Sequence, residues 1–386
     1  MVSLVCEELP LTDDGHLSLS SGETVYRNGD SLIVKFSGLR DVLSTSWLNG
    51  GYRRDIVAVF NHQIPLSDCD ECHANGGVSA YLSGVAASRL HIPARGCGLI
   101  TRADMRNAVV VTARYCELTV TAVVTGGIDK NGVRAGDPAS YSETEGQFEP
   151  VPGTINTILL MKADLPEYAL TRAIITATEA KVAALQQLMA RSIYSAGIAT
   201  GSGTDMIAVI ANPDAPLHLT DAGTHSLLGE LIATTIIRAT TRALERETGL
   251  SSKSQYDVMV RLSRFGITAD HLHGAVIHLA TGKTLLESHE TFIHFLRKWS
   301  GDPVCVGRIA AALHLLDETA WGLLPKDAAC DALILIFGGS RTSFTEKSDE
   351  PRDCLITLVA MDILQGFANT RRSDGIDPHF SSVLEE

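Results

Sequence analysis

The hydrophobic pattern of this chain changes period near residue 250, and that change bounds what the chain can fold into. Upstream, short runs rich in β-branched residues stand between glycines and aspartates: Ser31-Leu-Ile-Val-Lys-Phe36, Asp55-Ile-Val-Ala-Val-Phe60 and Asn107-Ala-Val-Val-Val-Thr-Ala113. Such runs predict strands. Downstream, apolar residues recur at helical spacing over Tyr256–Phe265, Ala269–Ala280, His289–Lys298 and Val304–Trp321, with one strand-like run at Ala332–Phe337. A single hydrophobic core stops growing at roughly 250–300 residues, so a chain of 386 residues should build more than one. The expectation is an α/β or α+β fold. A layered sheet-and-helix N-terminal domain covers residues 1–250, the polar Ser251-Ser-Lys-Ser-Gln255 acts as linker, a mainly α domain covers 256–372, and 373–386 form a flexible tail.

Within the first domain the order becomes strand, helix, strand, helix after residue 153. Thr154–Leu160 is extended by its alternation, Tyr168–Arg191 helical, Met206–Ala211 extended, and Ser226–Glu247 helical with Gly249 as the stop. The stretch from Gly126 to Gly153 carries glycines and prolines among polar residues and predicts a long loop.

Charge excludes several partners. A formal net charge of −13 without a lysine or arginine cluster argues against nucleic acid, whose phosphates need a concentrated basic face. No apolar run approaches the ~20 residues that span a bilayer, and the start lacks the basic and apolar regions of an export signal, so we expect a cytoplasmic protein without membrane insertion. The eight cysteines are therefore expected as thiols. Cys69-Asp-Glu-Cys72-His73 has the spacing of a haem attachment and part of a zinc site. It has no second cysteine pair beside it, so no metal and no cofactor are expected.

Glycine-bearing signatures follow one another in a fixed order: Leu48-Asn49-Gly50-Gly51, Gly98-Leu-Ile-Thr101, Gly136-Asp137-Pro138, Gly153-Thr-Ile-Asn156, Thr176-Ala-Thr-Glu-Ala-Lys181, Thr200-Gly-Ser-Gly-Thr-Asp205, and Gly223-Thr-His-Ser226 with Gly229-Glu230. In this order they resemble the adenosylcobinamide amidohydrolase (CbiZ-type) family over about residues 30–248. The resemblance implies a hydrolase that cuts the amide joining 1-amino-2-propanol to the corrin ring, giving adenosylcobyric acid for cobalamin biosynthesis by corrinoid salvage. The corrinoid is then substrate, not cofactor. Gly153-Thr-Ile-Asn156 followed by Gly201-Ser-Gly-Thr-Asp205 is also similar to self-cleaving L-aminopeptidase/D-esterase hydrolases, which implies Thr154 as nucleophile. Between residues 256 and 370, Gly266-Ile-Thr-Ala-Asp270, Asp317-Glu-Thr-Ala-Trp-Gly-Leu-Leu-Pro325 and Gly338-Gly-Ser340 resemble helical phosphatidylglycerophosphatase-A-like modules, too loosely to carry catalytic residues across.

Amide hydrolysis needs a nucleophile, a proton acceptor and donors aimed at the developing oxyanion. Thr154 is the candidate nucleophile and Asn156, on the same strand face, the donor; Asp205 is the candidate carboxylate. His225, at a helix start where the dipole disfavours imidazolium, is the candidate base. Candidate substrate-binding residues are Asn49, Gly50, Gly51, Asp137, Glu179, Gly201, Gly203, Thr204, Ser226 and Glu230. Each has a plainer role as well: strand end, tight turn, helix cap or solvated charge. The catalytic reading requires these turns to converge on one cavity. Its rivals are a corrinoid carrier without chemistry and a self-processing peptide amidohydrolase using Thr154.

Overall fold

In the computed structural model, residues 4–11, 15–68, 72, 76–92, 94–140, 142, 153–280, 289–339 and 350–373 are described. The chain divides into two compact units, Met1–Ser251 and Ser252–Glu386.

The first unit holds β1 (Val5–Leu9), β2 (Leu17–Ser18), β3 (Thr24–Asn28), β4 (Ser31–Lys35), β5 (Asp41–Ser44), β6 (Gly51–Arg53), β7 (Ala58–Gln63), α1 (Gly77–Gly84), β8 (Gly96–Thr101), β9 (Val109–Tyr115), β10 (Leu118–Gly127), β11 (Thr154–Met161), α2 (Glu167–Gln187), β12 (Met206–Ala211) and α3 (Leu227–Thr248). Two sheets form, in the orders β1-β9-β10-β11-β12-β5-β6 and β2-β3-β4-β7-β8. In the larger one β11 runs antiparallel to β10 and parallel to β12, with Asn156 opposite both Thr125 and Met206. The crossover between the parallel strands is α2.

Alternation along the strands sorts side chains into three apolar layers. Ile155, Leu159 and Met161 of β11 join Leu170, Ala173, Ala177, Leu231, Ile232 and Ile236 in the core under α2 and α3. Ile158 and Leu160 face the other way, meeting Val34, Val59 and Leu99 of the smaller sheet. Beyond that sheet, Ile33, Ala58 and Phe60 pack on Leu82 of α1. The unit is thus four layers deep: α1, the smaller sheet, the larger sheet, then α2 with α3. Alanines at 169, 173, 177, 180 and 184 give α2 a low inner face that lies close on the sheet. Each fully buried leucine or isoleucine contributes about 1.5–3 kcal/mol.

Sequence boundaries shift in two places. Strand β10 runs on through Gly127 into what reads as loop, because Gly126 and Gly127 lie against Leu244 and Glu247 of α3, where a side chain would be crowded. Helix α2 stops at Gln187 rather than Arg191, since Met189 takes a positive φ of 49°.

The second unit is helical among its described residues: α4 (Val258–Leu262), α5 (Ala269–Leu279), α6 (His289–Ser300), α7 (Pro303–Ala320), α8 (Lys326–Ile336) and α9 (Pro351–Ser373). Leu262, Leu272, Phe292, Leu296, Ile309, Leu313, Leu333 and Leu355 share its core. Asp302 caps α7, accepting from Val304 N at 2.9 Å, with Pro303 in the first turn where its missing N–H costs nothing. The strand expected over Ala332–Phe337 is the last turns of α8. Six apolar residues cannot distinguish a strand from a buried helix, and Ala329, Leu333 and Ile334 point inward at helical spacing. A bidentate ion pair joins Arg264 and Asp317 in the interior, both contacts at 2.7 Å. No helix among the described residues is long and apolar enough to cross a membrane. The tail from residue 374, and Ser340 of the glycine-rich motif, lie outside the described residues.

Candidate functional site

The N-terminal end of β11 carries an unusual run of buried polar residues. Alternation puts Thr154 and Asn156 in the layer between the sheets, where Ile158 and Leu160 continue the same face as core. Both are almost wholly buried, and each is satisfied. Asn156 Nδ2 donates to Asn61 Oδ1 and to the Ile100 carbonyl, both at 2.8 Å, so one amide bonds two strands of the opposite sheet. Asn61 in turn donates to Thr125 Oγ1 at 2.8 Å, and Asn156 Oδ1 accepts the Met206 amide at 3.2 Å. Thr154 Oγ1 donates to the Thr204 carbonyl at 2.9 Å and lies 3.3 Å from Asn156 Oδ1.

The loop before β12 closes over this end. Thr204 Oγ1 donates to the Gly153 carbonyl at 2.9 Å, and Asn131 Nδ2 donates to the same oxygen. Gly153 has a φ of 110°; a Cβ there would overlap Asn131 Oδ1 and lie 2.8 Å from the Gly127 carbonyl, so only glycine fits. Asp205 accepts from Ile155 N at 2.9 Å and Ser202 Oγ at 2.6 Å, and forms an ion pair with Lys181 from the fourth turn of α2. Gly201 leaves room for that pair: a Cβ would overlap Asp205 and sit 2.8 Å from Lys181 Nζ.

Two further glycine motifs come to this end of the sheet. Val133 N donates to the Gly201 carbonyl at 2.9 Å, which ties the loop holding Asp137 to the loop holding Asp205. Asp137 accepts from Arg134 N at 2.8 Å and Ser192 Oγ at 2.6 Å. Partial burial pushes its carboxyl up, but the Ser192 and Ser195 hydroxyls and the Arg134 amide outweigh that and hold it below the usual range. On the other side Thr45 N donates to the Ile207 carbonyl at 3.0 Å, so the turn with Asn49, Gly50 and Gly51 follows β5 past the start of β12. Asn49 spends its amide on the Ala94 and Gly96 carbonyls, at 3.0 and 2.8 Å, and Gly50 lies against the Ser46 carbonyl.

Of the remaining expected residues, all but Gly203 are elsewhere. His225, Ser226 and Glu230 belong to the start of α3, at the end of the sheet marked by Met161 and Ala211. Asp221 of the same loop pairs with Arg172 in the first turns of α2, and the Ala222 carbonyl accepts from Thr176 Oγ1 at 2.7 Å. The length of β11, eight residues, separates that end from Thr154, roughly 23 Å at ~3.3 Å per residue. The expected convergence of Thr154 and His225 therefore does not occur, because a helix following a parallel strand starts where the strand ends. Ser226 is a helix cap, accepting from Gly229 N at 3.0 Å, and Glu230 is exposed. Glu179 is exposed on α2. Gly203, with φ 77°, forms the turn beside Thr204.

Sequence reasoning passed over Asn61, Asn131, Ser202 and the pairing of Lys181. Asn61 interrupts the apolar run Ala58–Phe60 on the inter-sheet face, a detectable signal; Asn131 lies in a loop with no periodicity to mark it. Also missed was His62, whose ring bonds Ser31 Oγ at 2.7 Å and the Tyr81 hydroxyl at 3.2 Å on the α1 side of the smaller sheet. Burial, aided by the Arg89 charge, pushes its pKa down to about 4. Cys69 and His73 lie outside the described residues; among those described, no group of three or more His, Cys, Asp or Glu is arranged to hold a metal ion.

A threonine hydroxyl, paired amides and a lysine–carboxylate pair thus meet at one end of a layered α/β core. The family comparison supplies the class: the adenosylcobinamide amidohydrolase model matches residues 16–252, and the chain belongs to this family. An uncharacterized protein of Methanocaldococcus jannaschii is 34% identical over 230 residues, which cover 56% of this chain and 86% of that protein. A protein of Methanosarcina mazei named adenosylcobinamide amidohydrolase is 35% identical over 155 residues, 40% of this chain and 64% of its own length. A crystal structure of a Pyrococcus horikoshii protein superposes with a TM-score of 0.30 and 11% identity over 62% of this chain and 83% of that one.

Proposed function

We propose that the first unit hydrolyses the amide joining 1-amino-2-propanol to the corrin ring of adenosylcobinamide, releasing the amino alcohol and adenosylcobyric acid. The product re-enters cobalamin synthesis, which makes the protein a cytoplasmic enzyme of corrinoid salvage. The observation that carries this reading is the family match over residues 16–252, which spans every residue of the polar cluster at the start of β11.

In this reading Thr154 Oγ1 attacks the amide carbonyl, its proton leaves with the departing amine, and water then cuts the resulting ester. Asn156 fixes the nucleophile-bearing strand against the smaller sheet, while Asp205 holds the Ile155 amide and Lys181 together at its edge. Donors held rigidly before the reaction stabilise an oxyanion without reorganisation, which is what such a bonded cluster supports. Asn49, Gly50, Gly51, Asp137, Gly201, Gly203 and Thr204 supply the surrounding walls.

The test is incubation of the full chain with adenosylcobinamide and mass spectrometry of the products. Free aminopropanol and adenosylcobyric acid are expected, with Thr154→Ala lowering the rate by at least about 10³-fold. Tight binding of the corrinoid without released aminopropanol would replace the enzyme by a carrier.

A further inference from the structure

Two aromatic side chains stand open to water at the end of the larger sheet that carries the polar cluster. Trp47 is 52% exposed and Tyr194 38%. Large apolar rings are ordinarily buried, because leaving their surface in water costs free energy. In both cases the flanking backbone is tied down by hydrogen bonds, so the exposure is built into the turn.

Trp47 lies between anchored neighbours. Thr45 N donates to the Ile207 carbonyl and Thr45 Oγ1 accepts from Ile207 N, both at 3.0 Å. Ser46 Oγ donates to the Gly98 carbonyl at 2.5 Å and accepts from Leu48 N at 3.0 Å, and Gly98 N donates to the Leu48 carbonyl at 3.4 Å. The turn therefore passes from the larger sheet to β8 of the smaller one. Ile207 follows Met206, the residue opposite Asn156, which places this crossing on the β12 side of β11.

Tyr194 is fixed in the same manner from the other side. Tyr194 N donates to Ser192 Oγ at 3.0 Å, and that hydroxyl donates to Asp137 at 2.6 Å. Ile193 N donates to the Gly132 carbonyl at 2.8 Å, just beyond the end of β10. Strands β10 and β5 are three strand spacings apart in the sheet, roughly 14 Å at ~4.8 Å each. That span is of the order of a corrin ring with its amide arms.

We infer that Trp47 and Tyr194 hold the corrin macrocycle of the substrate while its aminopropanol arm reaches toward Thr154. The inference rests on the corrinoid reading proposed above and names the part of the substrate these rings recognise. A corrin is a flat ring edged with methyl groups, and with trivalent cobalt and an adenosyl ligand it carries net positive charge. Indole and phenol rings offer apolar area that loses little side-chain entropy on contact, and their π faces attract a cation. The scissile amide sits on a flexible arm, so the ring can rest on exposed aromatics while the amide enters between the loops. Contact of this kind is present equally in the ground and transition states, so it lowers KM and leaves kcat alone.

The full chain and its variants are assayed in the dark for aminopropanol release and, by equilibrium dialysis, for adenosylcobinamide binding. Trp47→Ala and Tyr194→Ala should each raise KM and Kd at least about tenfold with kcat within about twofold of wild type, and Trp47→Phe and Tyr194→Phe should restore most of the affinity. Thermal unfolding should not move, since both residues are exposed. Unchanged KM and Kd in either alanine variant, in a protein that releases aminopropanol, overturn the inference and leave the amidohydrolase standing. A fall in kcat at unchanged KM, or no recovery with phenylalanine, assigns the rings to holding their turns and overturns it equally. Binding that depends on both rings without aminopropanol release upholds the contact and sinks the hydrolysis. A chain that does not bind adenosylcobinamide overturns both.

Discussion

Acid should unfold the first unit through His62. The ring sits between the smaller sheet and α1, bonded to Ser31 Oγ and the Tyr81 hydroxyl, and Tyr81 donates onward to Asp68 at 3.1 Å. Burial is the main reason its pKa falls from 6.5 to about 4; Arg89 lowers it further, and Asp30 and Asp68 pull weakly the other way. The folded chain therefore keeps the ring neutral while the unfolded chain protonates it near pH 6.5. Between those values the unfolded state binds more protons, so stability falls as pH falls, by about 1.4 kcal/mol per pH unit and roughly 3 kcal/mol across the window. Above pH 6.5 the contribution is complete. Other carboxylates also titrate on the acid side, so the assay compares wild type with His62→Gln, which keeps an amide within reach of Ser31 and Tyr81 but has no proton to gain. Denaturant unfolding of both proteins at pH 7.5, 6.0 and 5.0, followed by hydrogen exchange in β7, isolates the difference. Wild type should lose about 2 kcal/mol more than the variant by pH 5. Parallel stability profiles would refute the argument, because they would mean that the ring is protonated in the fold as readily as in the unfolded chain.

Three other outcomes follow from the geometry. Gly201→Ala should push the Asp205 carboxylate off Lys181 and cut adenosylcobinamide hydrolysis at least tenfold, measured as aminopropanol release, with little loss of thermal stability. Asp317→Ala removes the carboxylate that faces the buried Arg264 guanidinium and should cost the second unit about 3–5 kcal/mol in denaturant unfolding, whereas replacing both partners by apolar residues should cost far less. His225→Ala should leave the hydrolysis rate within about twofold of wild type, since ~23 Å of strand lies between it and Thr154; a loss matching that of Thr154→Ala would return the histidine to the site.

The layered character of the first unit was legible because β-branched alternation and alanine-rich helix faces are local signals. Thr154–Leu160 appears as a strand with the expected face and Met206–Ala211 as the next strand, and the helical second unit follows from its apolar spacing. The strand at Ala332–Phe337 failed because the run is too short to show its period. At the site, residues on one strand could be placed together from the sequence: Thr154 with Asn156 needed only the period of two. Thr154 with Asp205 depended on which strands pair, and His225 on which end of the sheet a connection leaves from. Those are decided by topology, so the histidine's chemistry suggested a partner that the chain connectivity withholds. Lys181 reads from the sequence as a surface charge in a helix; only the glycine opposite it, at 201, creates the space that turns it inward.

The amide of Asn156 has a wider effect than its place on β11 implies. Because it answers to Asn61 and Ile100 on one sheet and Met206 on the other, the two sheets are geared together at the point where the chemistry would occur. A substitution in β7 or β8 that shifts their spacing by a fraction of an ångström would reach the proposed nucleophile without touching substrate. Mutational surveys of this protein should then find residues behaving as essential far behind the reacting atoms, in a sheet that contributes no reactive group of its own.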